Sequence, residues 1–147
     1  MGVTGGAAVN RMLEQKFAAI ERAIRNEIRR TGDMVRRDAD SNAASLGIMV
    51  DGAYLRIAGN VHGASFEAGN GYRIWVDGGK YAAYLEFGTG AYAERTVGKY
   101  DMKWQELAFE FYVNGKGHLP ARPYLYPAWV QNTTGMVDRM RSKLRAI

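Results

Sequence analysis

The feature that most constrains this chain is a helical repeat of apolar residues near its start. Leu13, Phe17, Ile20, Ile24 and Ile28 follow at spacings of four, three, four and four, which puts them on one face of an α-helix. Charged residues fill the other faces, and Glu21 and Arg25 make an i,i+4 pair in the favourable order. The pattern begins near Ala7, after a glycine-rich stretch from Met1 to Gly6 that is expected to be flexible. Gly32 either interrupts the helix or is crossed. If it is crossed, Met34, Val35 and the run to Ala44 carry the helix past roughly 30 residues, about 45 Å. The chain has 147 residues, enough for one domain with a single core over 7–147. So small a domain does not cover so long a helix. Part of it is expected to lean on a neighbour.

Strand signals follow. Tyr54 to Ile57 lies between Gly52 and Gly59, and Tyr72 to Val76 follows the turn-prone Gly69-Asn70-Gly71. The two are expected to pair antiparallel. Tyr81 to Gly90 reads YAAYLEFGTG, with Tyr81, Tyr84 and Leu85 at helical spacing and a stop at Gly88-Thr89-Gly90. The segment 91–119 reads as a variable excursion. Within it Leu107, Phe109, Phe111 and Val113 alternate with other residues, which predicts a strand, and Asn114-Gly115 then predicts a hairpin turn.

All three prolines lie at positions 120, 123 and 127, inside the second block, Ala121 to Trp129 (ARPYLYPAW), or beside it. Arg122 and Tyr126 should therefore be extended, and a last helix should start at Pro127. Val130, Thr133, Val137, Met140, Leu144 and Ile147 give it an apolar stripe flanked by Arg139, Arg141, Lys143 and Arg145, with Gly135 inside it. The expected fold is α+β: a small antiparallel sheet of three to five strands packed against a long N-terminal helix and a C-terminal helix.

Composition narrows the function. The chain has no cysteine, so disulfide frameworks and cysteine-based metal or redox chemistry are excluded. No apolar run is long enough to span a membrane, and the N-terminus lacks the order of a signal peptide. The reading is a soluble protein without a classical export signal, and no membrane partner is expected. The net charge is +5, and the excess lies on the two terminal helices, where a solvated face is the ordinary meaning.

Catalytic constellations are not evident. His62 and His118 have no partner at metal-ligand spacing and read as loop residues. Gly88-Thr89-Gly90 with Ala93 formally matches a dinucleotide fingerprint, but a polar, irregular segment follows it instead of a helix. Asp33, Asp38 and Asp40 are interleaved with Arg36 and Arg37 and read as a solvated helix end. No cofactor or metal is expected, and the chain does not read as an enzyme. Fourteen of the seventeen aromatics lie between Tyr72 and Trp129. They serve either as core and interface anchors or, with the basic helices, as a nucleic-acid-binding module. Glu86 and Arg122 are the single charges of their two blocks. They are expected either to pair with each other or to point to solvent.

The blocks Tyr81-Ala82-Ala83-Tyr84-Leu85-Glu86-Phe87-Gly88-Thr89-Gly90 and Pro120-Ala121-Arg122-Pro123-Tyr124-Leu125-Tyr126-Pro127-Ala128, with Asn114-Gly115-Lys116-Gly117 between them, carry a resemblance. The chain resembles the gene-product-ten-like neck and tail-completion proteins of tailed phages, and the order of helix, strands, block, variable segment, block and helix fits as well. The resemblance implies a non-enzymatic virion protein at the head–tail junction, made in the host cytoplasm during assembly. It implies a ring, a homohexamer in preference to a dodecamer, in contact with a head-closure connector, tail terminator or tail tube. Non-specific contact with DNA in the channel is also implied. Tyr81, Tyr84, Glu86, Phe87, Gly88, Thr89, Gly90, Asn114, Gly115, Arg122, Pro123, Tyr124 and Pro127 are the implied structural and interface positions.

Overall fold

A computed structural model describes residues 5–47, 57–77, 80–93, 98–111 and 117–147. The architecture is α+β. Its spine is helix α1, Gly6–Ser45, 40 residues without a break, about 60 Å long at 1.5 Å per residue. Gly32 does not interrupt it. The ring of Tyr72 lies on this glycine so closely that a Cβ would fall 2.2 Å from Tyr72 Cγ. Gly32 is therefore a packing notch, and its helix-propensity cost of about 1 kcal/mol is offset by the ring seated there. From Glu27 to Ala43 one face is buried through Glu27, Thr31, Gly32, Val35, Ala39 and Ala43. Residues 5–18 are exposed throughout.

Strands β1 (Val61–Phe66) and β2 (Gly71–Val76) pair antiparallel, from Val61 opposite Val76 to Phe66 opposite Gly71. The Tyr72–Val76 strand thus has Val61–Phe66 as a partner. Of the segment expected to pair with it, Tyr54 to Arg56 lie outside the described residues, and Ile57 sits buried in a bend. The observed partner, VHGASF, has few strand formers and no clean alternation. Its pairing depends on tertiary packing, since Val61 enters the core beside Val35 and Ala39. A 3-10 turn, Glu67–Gly69, joins the strands, with Glu67, Ala68 and Gly69 all at positive φ. Among the described residues the sheet has two strands, fewer than the three to five expected.

Helices α2 (Lys80–Phe87), α3 (Met102–Phe111), α4 (Leu125–Thr133) and α5 (Met136–Arg145) complete the order. Helix α3 overturns the strand expected to run to Val113. The alternating Leu107 and Phe109 are exposed, whereas Ala108 is buried and Trp104 half-buried, so the i,i+4 pair defines the inner face. Asp101 starts the helix by accepting the Trp104 N–H at 3.2 Å, the signature of an N-cap. The expected turn at Asn114-Gly115 lies outside the described residues.

The last helix is also two helices. Gly135, with φ of 77°, takes the left-handed conformation between α4 and α5, where a side chain would be strained. Helix α4 begins at Leu125, with Pro127 in its first turn, where no amide donor is needed. Both helices lie along α1, Asn132 of α4 at Asp38 and Arg139 and Lys143 of α5 at Glu27. Val130 and Val137 of the anticipated apolar stripe are exposed. The main core joins α1, the sheet, α2 and α4 through Val35, Val61, Leu85 and Ala128, with Ile57 and Tyr124.

Candidate functional site: the junction of the two motif blocks

The two sequence blocks meet. Their centre is Glu86, at the end of α2, whose side chain is turned inward and only 3% exposed. The Tyr124 and Leu125 N–H groups donate to its Oε2 at 2.9 and 2.8 Å, and the Tyr126 N–H donates to Oε1 at 2.9 Å. These donors belong to the start of α4, where backbone N–H groups have no partner within the helix. A carboxylate there satisfies them and meets the positive end of the helix dipole. Burial pushes the Glu86 pKa up, and the Leu125, Tyr124 and Tyr126 N–H groups oppose that rise without cancelling it.

This arrangement corrects the expected Glu86–Arg122 ion pair. Both carboxylate oxygens are engaged by backbone N–H groups, while Arg122 has an exposed side chain and uses its own N–H to bond Leu85 O at 2.7 Å. No Glu86–Arg122 pair occurs among the described ion pairs. The sequence correctly marks Glu86 as needing a partner, but the partner is the peptide backbone two to four residues beyond Arg122.

Around Glu86 the blocks are sewn together along the main chain. The Thr89 N–H donates to Leu119 O at 2.9 Å, and the Leu119 N–H donates to Thr89 Oγ1 at 2.9 Å. Gly88 has φ of 78°, and a Cβ there would stand 2.9 Å from Ala121 N. Both the left-handed backbone and the close approach of 119–121 require glycine. Gly90 is buried, also at positive φ. The EFGTG stretch is therefore a seat for the second block.

Aromatics close the junction. The Tyr124 hydroxyl donates to Ala82 O at 3.3 Å and the Tyr100 hydroxyl to Glu86 O at 2.9 Å. Burial, and then the charge of Glu86, pushes both phenols well above the ordinary tyrosine range. Phe87, Tyr100, Trp104 and Tyr126 pack on one another, with Tyr100 and Tyr126 edge to face at 4.4 Å between ring centroids. Tyr81 is exposed, edge to face with the half-buried Tyr84. Pro123 is half-buried and Pro127 exposed. Asn114 and Gly115 lie outside the described residues.

A second polar cluster escaped the sequence reading. Glu27 of α1 is fully buried and holds α5 in place. Arg139 Nε donates to its Oε1 at 2.7 Å and Lys143 Nζ to its Oε2 at 2.5 Å. Arg139 also donates to Thr31 Oγ1 and Asn132 O. Burial raises the Glu27 pKa, but hydrogen bonds and charges from Lys143 and Arg139 outweigh it and hold the carboxyl below its usual range. The signal was present: Glu27 lies beside the Ile24–Ile28 stripe, and Arg139 and Lys143 are i,i+4 neighbours. Basic residues expected to flank a solvated face instead bind a buried acid.

Other candidate chemistry disperses. Asp33 accepts from the Tyr72 hydroxyl, Asp38 from Asn132 Nδ2 and Asp40 from the Gly59 N–H, so the three acids serve three different elements. They are packing contacts, where a solvated helix end was expected. His62 lies on β1, not in a loop, stacked on Trp75 and 2.8 Å from Asp77 Oδ2, without the alignment of a hydrogen bond. Among the described residues no group of three His, Asp or Glu side chains is placed to hold a metal ion, and no helix is long and apolar enough to cross a membrane. Comparison with protein-family models, curated proteins and solved structures finds no match in any of the three.

Proposed function

We propose that this chain is a structural assembly subunit, a neck or tail-completion protein of a tailed phage, acting without enzymatic chemistry. The observation that carries the reading is the junction itself. The two blocks that carry the phage resemblance close on each other through Glu86, Thr89 and the start of α4. Each carboxylate oxygen of Glu86 is occupied by backbone donors inside the fold, an arrangement suited to holding shape and unsuited to proton transfer. The tightly grouped aromatics pack on one another, which weighs against a stacking platform for single-stranded nucleic acid.

In this reading copies of the chain form a ring at the head–tail junction, a homohexamer, joined to neighbouring neck proteins. Size measurement of the purified chain with and without those proteins tests it, beside a salt-titrated DNA-binding assay. Ring formation supports the reading. A free monomer that binds DNA tightly with a steep salt dependence replaces it with the nucleic-acid-binding alternative.

A further inference from the structure

Helices α1 and α5 together carry twelve Lys and Arg against seven Asp and Glu, which accounts for the whole of the chain's net charge of +5. Helix α5 lies antiparallel on α1: Arg139 reaches Thr31, and Ile147 O accepts from Lys16 Nζ at 3.2 Å. In the seam between them three cations converge on one buried acid, Glu27. Arg139 takes its Oε1 and directs its remaining N–H groups to Thr134 O, Thr31 Oγ1 and Asn132 O, so this guanidinium faces inward and balances the carboxylate. Lys143 Nζ and Arg30 Nη1 both approach the other oxygen, Oε2, at 2.5 and 3.9 Å. They therefore stand within about 6.4 Å of each other, the sum of those two distances. Their side chains are 41% and 57% exposed. Among the described ion pairs neither has an acid other than Glu27, because Glu21, Asp33 and Asp138 are taken up by Arg25, Arg29 and Arg141. Two positive charges are thus held together at the surface in excess of the acid beneath them.

We propose that this seam binds the phosphate backbone of duplex nucleic acid, with Arg30 and Lys143 as a two-point contact and Arg37 extending it. Arg37 is exposed and lies seven residues beyond Arg30, on the same stripe of α1 and about 10 Å along it. Asp33, which falls between them in sequence, is turned to Arg29 and the Tyr72 hydroxyl. An anion gains at this place because the fold has already brought the two cations together, and an anion relieves their mutual repulsion. Extent decides which anion. A duplex carries a negative charge about every 1.7 Å of its axis, so it meets Arg30, Lys143 and Arg37 at once, whereas a free phosphate reaches only the first two. Contacts to the backbone carry no sequence information, so the binding is independent of sequence. The inference goes beyond the assembly reading and does not depend on it, since it rests on charges within one chain.

The test is fluorescence anisotropy of a short labelled DNA duplex titrated with the full-length chain at several salt concentrations, with circular dichroism confirming the fold of every variant. Three phosphate contacts give a slope of log K against log salt near −2.7, so binding should weaken about 40-fold between about 50 and 200 mM salt. That slope is distinct from the tight, steep binding by a free monomer that would replace the assembly reading. Arg30→Ala, Arg37→Ala and Lys143→Gln, which keeps a donor for Glu27, should each weaken binding several-fold and lower the slope by about 0.9. Arg25→Ala removes the same charge from the hairpin side of α1, where Arg25 donates to Asn70 Oδ1, and should leave the slope unchanged. If Lys143→Gln does not fold, the two exposed arginines carry the comparison. Binding that falls equally in Arg25→Ala is a diffuse effect of net charge and overturns the seam, as does a wild-type chain that binds no duplex at low salt. Inorganic phosphate that competes as well as unlabelled duplex at matched ionic strength marks a small-anion site and overturns the backbone contact. Polyglutamate that competes better than duplex assigns the seam to an acidic protein surface instead. Sedimentation of the same samples reports ring formation separately, so absent DNA binding leaves the assembly reading standing and absent rings leave the seam standing.

Discussion

Removing the Glu86 carboxylate should unfasten the two blocks from each other. In Glu86→Ala the N–H groups of Tyr124, Leu125 and Tyr126 lose their acceptors together. A buried donor left unpaired costs about 1–3 kcal/mol. Relief from burying a charge, and water entering near the half-buried Leu125 and Tyr126, return part of this. A net loss of about 3 kcal/mol is expected, among the larger effects of a single substitution. For a chain of this size that is roughly a 6–12 °C fall in melting temperature. Glu86→Gln keeps one acceptor oxygen but turns an amide donor towards the other N–H groups, and should lose about half as much. Arg122→Ala should change stability by less than about 0.5 kcal/mol, as exposed substitutions ordinarily do. Thermal and urea unfolding of the three variants make the comparison. If Arg122→Ala costs as much as Glu86→Ala, the guanidinium is the true partner and the capping account is wrong. If Glu86→Ala is neutral, the junction does not depend on this carboxylate at all.

The remaining predictions concern charge and packing. The two buried acids should respond to pH in opposite senses. The Glu27 pKa is lowered on folding, so its contribution is present above about 4.5 and lost as pH falls through the folded value. The Glu86 pKa is raised, so its contribution is present below about 4.5 and lost as pH rises through the folded value. Melting temperature against pH should show both slopes in the wild type, and Glu27→Gln and Glu86→Gln should each flatten one. Glu27→Ala should cost about 2 kcal/mol, below the 3–5 of a fully buried pair because Arg139 and Lys143 are partly exposed; urea unfolding measures it. Gly32→Ala should destabilise despite alanine's better helix propensity, because its Cβ displaces the Tyr72 ring. Combined with Tyr72→Ala it should cost less than the sum of the two single changes, which a double-mutant cycle by urea unfolding checks.

The long helix, the Tyr72–Val76 strand and the meeting of the two blocks were legible because each rests on local patterning or on a charge in an apolar setting. Elsewhere the local code was ambiguous. Residues 107–113 alternate like a strand, yet Trp104 and Ala108 share a helical face and Asp101 caps it, and contact with Phe87 decides the outcome. The VHGASF strand is formed by tertiary pairing, with little propensity of its own to announce it. Gly135 read as a tolerated defect inside one helix, but its left-handed backbone ends α4 and starts α5 as a separate helix. At the site, the sequence marked Glu86 as a charge in need of a partner, but side-chain reasoning looks for cations and overlooks the bare donors at a helix start. Glu27 was missed for the converse reason: its place beside the Ile24–Ile28 stripe and the i,i+4 spacing of Arg139 and Lys143 were visible, but local patterning does not say that the far end of the chain meets this acid.

The assembly account is tested most directly by locating the chain in an imaged particle. A phage particle carrying this protein with a small density label, reconstructed by electron microscopy, should show label in a ring at the head–tail junction and nowhere else. Label in the head shell, along the tail shaft or absent from the particle would contradict the account.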